Sequence, residues 1–312
     1  MINTPRRWTL HNLNNGLIFS ATYHSVRTLP RPASYAIARA CTWTAWRTMR
    51  ESREALADNL APVFPEEDGT TRERRAREIF RSYARDTIDF LRALDASKEE
   101  ASSMFALAPE SRALFYDLIR QGRGLILVTG HFGNWEIGSL LVRRALDRPM
   151  TIVAMTEASP TVNRIRREIR ERLGVDTIEV RQSLDTALQI RRRLAENQIV
   201  AMLVDRHYGR DRVPVTVFGR AAWFLKTPVL MGNLSGAPLL PCFIERIGPG
   251  RFEARLGTPV YVSSDIARDE AIARAAQEIA DALSARIRER PELWYHFYRY
   301  WNAQRDEYSG LE

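Results

Sequence analysis

The segment TGHFGNWE, residues 129–136, follows the apolar run GLILV, residues 124–128. An apolar run of that length reads as a buried strand, so His131 stands just beyond a strand's carboxyl end. In open α/β sheets, ligands bind beyond the carboxyl ends of strands. Gly130 and Gly133 let the backbone turn tightly and come close to a substrate. A helix is predicted to begin near Asn134, which puts Glu136 in its first turn, where the helix dipole favours a carboxylate. A histidine before a helix and a carboxylate on its first turn can face each other. The carboxylate then accepts from one ring nitrogen and fixes the tautomer, and the other nitrogen takes a proton from a substrate hydroxyl. The pattern is a base with its orienting acid, and the nucleophile is left to the substrate.

Other chemistries fit these residue types less well. Metal binding calls for HExxH or further His and Cys ligands nearby, and the sequence around His131 has none. No GxSxG elbow of a serine hydrolase is present. A structural histidine bonded to a local glutamate fits His-x4-Glu as well as a catalytic one does.

Periodicity divides the elements that must hold these residues. Residues 1–115 read as successive helices, broken at LPRP and FPEEDG. The clearest, TRERRAREIFRSYARDTIDFLRAL, places Ile79, Phe80, Tyr83, Ile88, Phe90 and Leu91 at apolar positions among Arg and Glu. From about residue 116 strand-like runs appear at 124–129, 151–155, 176–180, 199–204, 213–218, 238–244 and 252–256, with helical segments at 134–146, 161–172 and 184–196. Strands alternating with helices predict an α/β fold with a mainly parallel central sheet flanked by helices, preceded by the helical N-terminal region. The division expected is 1–115 for that region and 116–312 for the α/β core. IGPG before Arg251 reads as a hairpin turn and makes one late strand pair antiparallel.

Charge and cysteine content bound the partners. The 312 residues carry 46 Lys plus Arg against 38 Asp plus Glu, a net +8, which attracts an anionic partner. The arginines are scattered through amphipathic helices without a recognisable nucleic-acid module, so no nucleic acid is expected. Cys41 and Cys242 form no CxxC pair, which fits a reducing compartment. The N-terminal segment carries Arg6, Arg7 and Trp8 before short apolar runs. It shows no signal-peptide cleavage pattern and falls short of the roughly 20 apolar residues a spanning helix needs. A basic, aromatic, amphipathic segment of this kind suits a membrane interface or ordinary core packing.

GHFGNWE resembles the His-x4-acid signature of glycerolipid-type acyltransferases. More of the chain resembles the bacterial branch of late lipid A and phosphatidylinositol mannoside acyltransferases: ESREALADNLAPVFPE (51–66), VDRHYGRDRVPVTVFG (204–219), SGAPLLPCFIER (235–246) and PELWYHFYRYW (291–301), in the family's order. The resemblance implies transfer of a fatty acyl group from a thioester, on acyl carrier protein or coenzyme A, to a hydroxyl of a lipid acceptor; the alternatives are a same-fold acyltransferase for a non-lipid-A or small-molecule acceptor, and a catalytically silent lipid-binding member. No cofactor beyond that co-substrate and no metal is implied, and the place of action is the cytoplasmic face of an inner membrane, held peripherally, or the cytoplasm. His131 and Glu136 are then the catalytic pair. Gly133, Asn134, Asp205, Arg206, Arg164 and Arg170 are expected to bind the oxyanion or the acceptor. Trp135, Trp223, Phe224 and Leu225 are expected to border an acyl groove. The stretch AAWFLKTP (221–228) departs from the small and hydroxyl residues of family members, with bulky Trp223–Leu225 and Lys226.

Overall fold

A computed structural model describes residues 16–155, 164, 170–171, 174–180 and 184–302. The helices are α1 (Gly16–Thr28), α2 (Arg31–Thr48), α3 (Arg50–Leu60), α4 (Gly69–Ala93), α5 (Lys98–Met104), α6 (Pro109–Arg120), α7 (Trp135–Leu146), α8 (Leu184–Ala195), α9 (Thr227–Ser235) and α10 (Arg268–Glu289). The strands are β1 (Phe105–Ala106), β2 (Leu125–Thr129), β3 (Met150–Ala154), β4 (Val175–Glu179), β5 (Ile199–Leu203), β6 (Val213–Val217), β7 (Arg220–Phe224), β8 (Leu239–Gly248) and β9 (Arg251–Leu256). Residues 1–15 and most of the 161–172 segment, which carry the expected interfacial N-terminus and one expected helix, lie outside the described residues.

The central sheet runs β1-β9-β8-β2-β5-β3-β4. All neighbours in it are parallel except β8 and β9, the antiparallel hairpin that IGPG predicts. Both faces are covered, as a parallel sheet requires. β2 shows it: Ile126 and Val128 enter one buried cluster with Ile272, Ile279 and Leu283 of α10. Leu125 and Leu127 enter the other, with Leu91 of α4, Phe115 of α6 and Ile137 of α7. A two-residue side-chain period sends alternate residues to opposite faces, which is why the strand is apolar throughout.

The 213–218 run departs from the expected sheet. It forms β6 and pairs only with β7, which is not among the strand runs read from sequence. Phe218 and Gly219 both have positive φ, 50° and 73°, the pattern of a tight hairpin turn whose twist matches its strands. In the N-terminal region, α4 is capped by Asp68, the residue before it, whose side chain accepts from the Thr71 N–H at 2.7 Å, a donor the helix cannot bond itself. Among the described residues no helix is long and apolar enough to cross a membrane.

Candidate active site

Register brings the site together. Thr129 of β2 lies opposite Leu203 of β5 in a parallel pair, so residues two further along each strand emerge side by side on the same rim. Those residues are His131 and Asp205. Asp205 Oδ1 lies 2.7 Å from His131 Nδ1, and Oδ2 accepts from the His131 backbone N–H at 2.8 Å. The first contact fixes the ring, the second the chain that carries it. Gly130 is required between strand and base: a Cβ there would stand 2.9 Å from Asp205 Oδ2 and 2.8 Å from the Leu283 side chain.

The carboxylate on His131 Nδ1 is therefore Asp205, where the sequence reading expected Glu136. Glu136 does fall in the first turn of α7, and its carboxylate lies 4.0 Å from the Arg170 guanidinium. Asp205, expected to meet the oxyanion or the acceptor, is 1 % exposed. Both its oxygens face protein groups, which removes it from the substrate-facing set.

The turn amides are corrected in the same way. Gly133 N–H donates to the Leu293 carbonyl at 2.8 Å, and Asn134 N–H donates to the Ile244 carbonyl at 2.9 Å. The Asn134 side chain, buried, accepts from Ile137 N–H at 3.2 Å and donates to the Asp86 carbonyl at 2.8 Å. Gly133 and Asn134 thus hold the loop in shape; an amide already bonded inside the protein is poorly placed to stabilise an oxyanion. Gly133 has φ 62°, and a Cβ on it would run into the Ile244 carbonyl.

A second histidine completes the cluster and was not singled out from sequence. His296 Nε2 lies 2.8 Å from Asp205 Oδ2, and its Nδ1 lies 3.1 Å from Tyr298 Oη and 3.4 Å from Arg206 Nη2. Burial would raise the Asp205 pKa, but the two adjacent imidazoles outweigh it and hold the carboxyl well below its usual range. Burial pushes the His296 pKa down to about 3 against the pull of Asp205. His296 is neutral near pH 7, so its Nε2–H donates to Asp205 and its Nδ1 accepts from Tyr298. His296 lies in the C-terminal aromatic segment, which Asn59 of α3 ties down. Asn59 Nδ2 donates to the His296 and Tyr298 carbonyls at 3.0 and 2.7 Å, and Oδ1 accepts from Tyr300 N–H at 2.8 Å. In sequence Asn59 and His296 fall in two of the blocks quoted above (51–66 and 291–301), and only the fold brings them together.

His131, Asp205 and His296 offer ligand atoms within 4.8 Å of one another. That spacing suits one cation, but here both oxygens of the single carboxylate already lie between the imidazoles. Trp135 packs edge-on against His131, ring centroids 5.1 Å apart. Arg206 lies over the Tyr298 ring at 5.1 Å. Leu225 N–H donates to the Val204 carbonyl at 2.9 Å, which sets Leu225 beside the strand end that carries Asp205. Trp223 lies under the Arg212 guanidinium at 4.5 Å. Phe224, expected at the groove, is 2 % exposed and packs into the main core, because the pleat of β7 turns it inward while its neighbours face out. Arg164 is exposed.

Fold and site together define a class: a helix-flanked, mainly parallel α/β sheet with a histidine–carboxylate pair at its carboxyl rim. Residues 4–303 match the family model of the bacterial lipid A biosynthesis acyltransferases, and the chain belongs to that family. Among curated proteins it is similar to phosphatidylinositol mannoside acyltransferase of Mycolicibacterium smegmatis (strain ATCC 700084 / mc(2)155), 27 % identical over 185 residues. That match covers 58 % of this chain and 58 % of the relative's length, somewhat over half of each.

Proposed function

We propose that this chain is an O-acyltransferase that moves a fatty acyl group from a thioester, on acyl carrier protein or coenzyme A, to a hydroxyl of a lipid acceptor. Family membership supports the reaction class. The observation that carries the mechanism is the 2.7 Å contact between His131 Nδ1 and a buried carboxylate. With Nδ1–H donating to Asp205, His131 Nε2 keeps its lone pair for the substrate.

The acceptor hydroxyl attacks the thioester carbonyl carbon while His131 Nε2 takes its proton. The tetrahedral intermediate then collapses, the carbon–sulfur bond breaks, and the imidazolium returns the proton to the departing sulfur. The products are an ester and a free thiol. Asp205 positions His131 and stabilises its cationic form; neutral His296 donates to Asp205 and keeps it ionised and in place. Arg206 is the proposed donor to the oxyanion or to an acceptor phosphate, with Arg170 and Arg164 on the acceptor side. Trp135 is proposed to border the mouth of an acyl groove, with Trp223 and Leu225 further along it.

Lipid A and phosphatidylinositol mannoside, the lipids that name the family and the relative, are both sugar-bearing anionic lipids. The acceptor proposed is of that class, met at an anionic membrane surface on the cytoplasmic face of the inner membrane. The test is single-turnover acyl transfer with a folded His131→Ala variant. A loss of several hundred-fold is expected, within the roughly 10²–10⁴-fold range of a general base; unchanged turnover removes His131 from the chemistry.

A further inference from the structure

Away from His131, a cleft of about 820 Å³ opens between α2, α4 and the β8–β9 turn, and its lining includes none of the residues of the His131–Asp205–His296 cluster. We propose that this cleft seats the phosphate headgroup of an anionic phospholipid in a bilayer, as a second lipid site that docks the protein on the membrane. The inference rests on the membrane-surface part of the proposed function and not on its chemistry.

Charge is the first argument. Arg39 of α2, Arg81 and Arg85 of α4, and Arg246 of β8 all line the cleft, and no Asp or Glu does. The carboxylates beneath the floor are already engaged: Asp86 Oδ1 accepts from Arg246 Nε at 2.7 Å, and both oxygens of Asp89 lie 2.7 Å from Tyr35 Oη. Glu78 takes Arg81 from the outer side. Arg39 and Arg85 are exposed and form no ion pair with a described residue. Arg81 and Arg85 stand four residues apart on one helix, where like charges repel, and Arg39 adds a third charge from the facing helix. An anion between them converts that repulsion into attraction, and guanidinium forks match phosphate oxygens.

The rim is the second argument. Ile247, in the lining, is 47 % exposed, and Trp43, one helical turn beyond Arg39, is 53 % exposed. The Arg47 guanidinium stacks 3.6 Å from the Trp43 ring centre. Exposed tryptophan beside arginine is the side-chain pairing of a membrane–water interface, where the ring sits at headgroup level. A soluble phosphate would use the arginines and leave Trp43 and Ile247 in water, so the bilayer lipid is the better match.

The test is co-sedimentation of the full chain with vesicles of phosphatidylcholine alone or mixed with phosphatidylglycerol. The wild type is expected to favour the mixed vesicles. Replacing Arg39→Gln and Arg85→Gln together should weaken that binding roughly 25-fold, about five-fold per charge near an anionic surface. An Arg191→Gln, Arg268→Gln control, two exposed arginines elsewhere, should lose far less. Trp43→Ala should weaken binding to the mixed vesicles as well. Equal losses in the cleft and control pairs would reduce the effect to overall charge and overturn the site. His131→Ala should bind like the wild type, so loss of acyl transfer and loss of docking are read separately. A wild type indifferent to phosphatidylglycerol refutes both the cleft and the membrane reading.

Discussion

Replacing Asp205→Asn separates the two carboxylates that compete for the role of orienting His131. The carboxylate is 1 % exposed and receives the His131 backbone N–H, His131 Nδ1 and His296 Nε2 within 2.7–2.8 Å. An asparagine has nearly the same shape but only one acceptor oxygen. If that oxygen keeps the backbone N–H and His296, the NH₂ group faces His131 Nδ1, which must then accept. The imidazole proton moves to Nε2, and the lone pair meant for the substrate hydroxyl is lost. A wrong tautomer in a Ser-His-Asp site costs about 10⁴-fold, and loss of general-base catalysis alone costs about 10²–10⁴-fold. The expected fall in kcat is therefore about 10³-fold, equivalent to roughly 4 kcal/mol of barrier at 1.36 kcal/mol per decade. The assay is release of free thiol from an acyl thioester in the presence of acceptor, with circular dichroism to show that the variant is folded. Glu136→Gln, measured alongside, should cost much less. Turnover of Asp205→Asn within a few-fold of wild type, or a larger loss from Glu136→Gln, would refute the assignment.

Stability should respond to pH through His296. Its folded pKa of about 3 lies below the ordinary imidazole value of 6.5, so between those values the unfolded chain binds the extra proton and stability falls as pH falls, by at most about 1.4 kcal/mol per pH unit. Urea unfolding at pH 7 and pH 5 should show that slope reduced in His296→Gln; an unchanged slope would mean that His296 titrates normally in the folded state. Gly133→Ala combines a φ of 62° with a Cβ directed into the Ile244 carbonyl, and a loss of about 2–4 kcal/mol is expected in the same titration. A melting temperature equal to wild type would contradict that geometry. Asn59→Ala leaves the carbonyls of His296 and Tyr298 and the N–H of Tyr300 without their side-chain partner, at about 1–3 kcal/mol for each buried group left unbonded. Activity should fall with it, because the segment carrying His296 is released; a stable, fully active variant would show that Asn59 is dispensable.

Much of the architecture is local and was legible in the chain. The apolar run ending at Val128, the glycines around His131 and the amphipathic period of α4 each depend on neighbours within a few residues, and each reports its element directly. The same holds for the hairpin at IGPG. The α/β class and the position of His131 at a strand's carboxyl end follow from these short-range patterns.

Partnership across the sheet is not local. Glu136, five residues from His131, is the near carboxylate in sequence; Asp205, seventy-four residues away, is the one in contact. Parallel strand register alone decides this, by setting Thr129 opposite Leu203. His296 is further still, and reaches Asp205 because Asn59 of an N-terminal helix holds the C-terminal segment against the rim. The turn amides were open in sequence and are bonded in the fold, since every buried N–H must find an acceptor. Sequence by itself determined the base and the edge of the sheet on which it stands. Tertiary structure decided which carboxylate serves that base, because hydrogen bonds between strands and segments join residues whose distance along the chain carries no information about their distance in space.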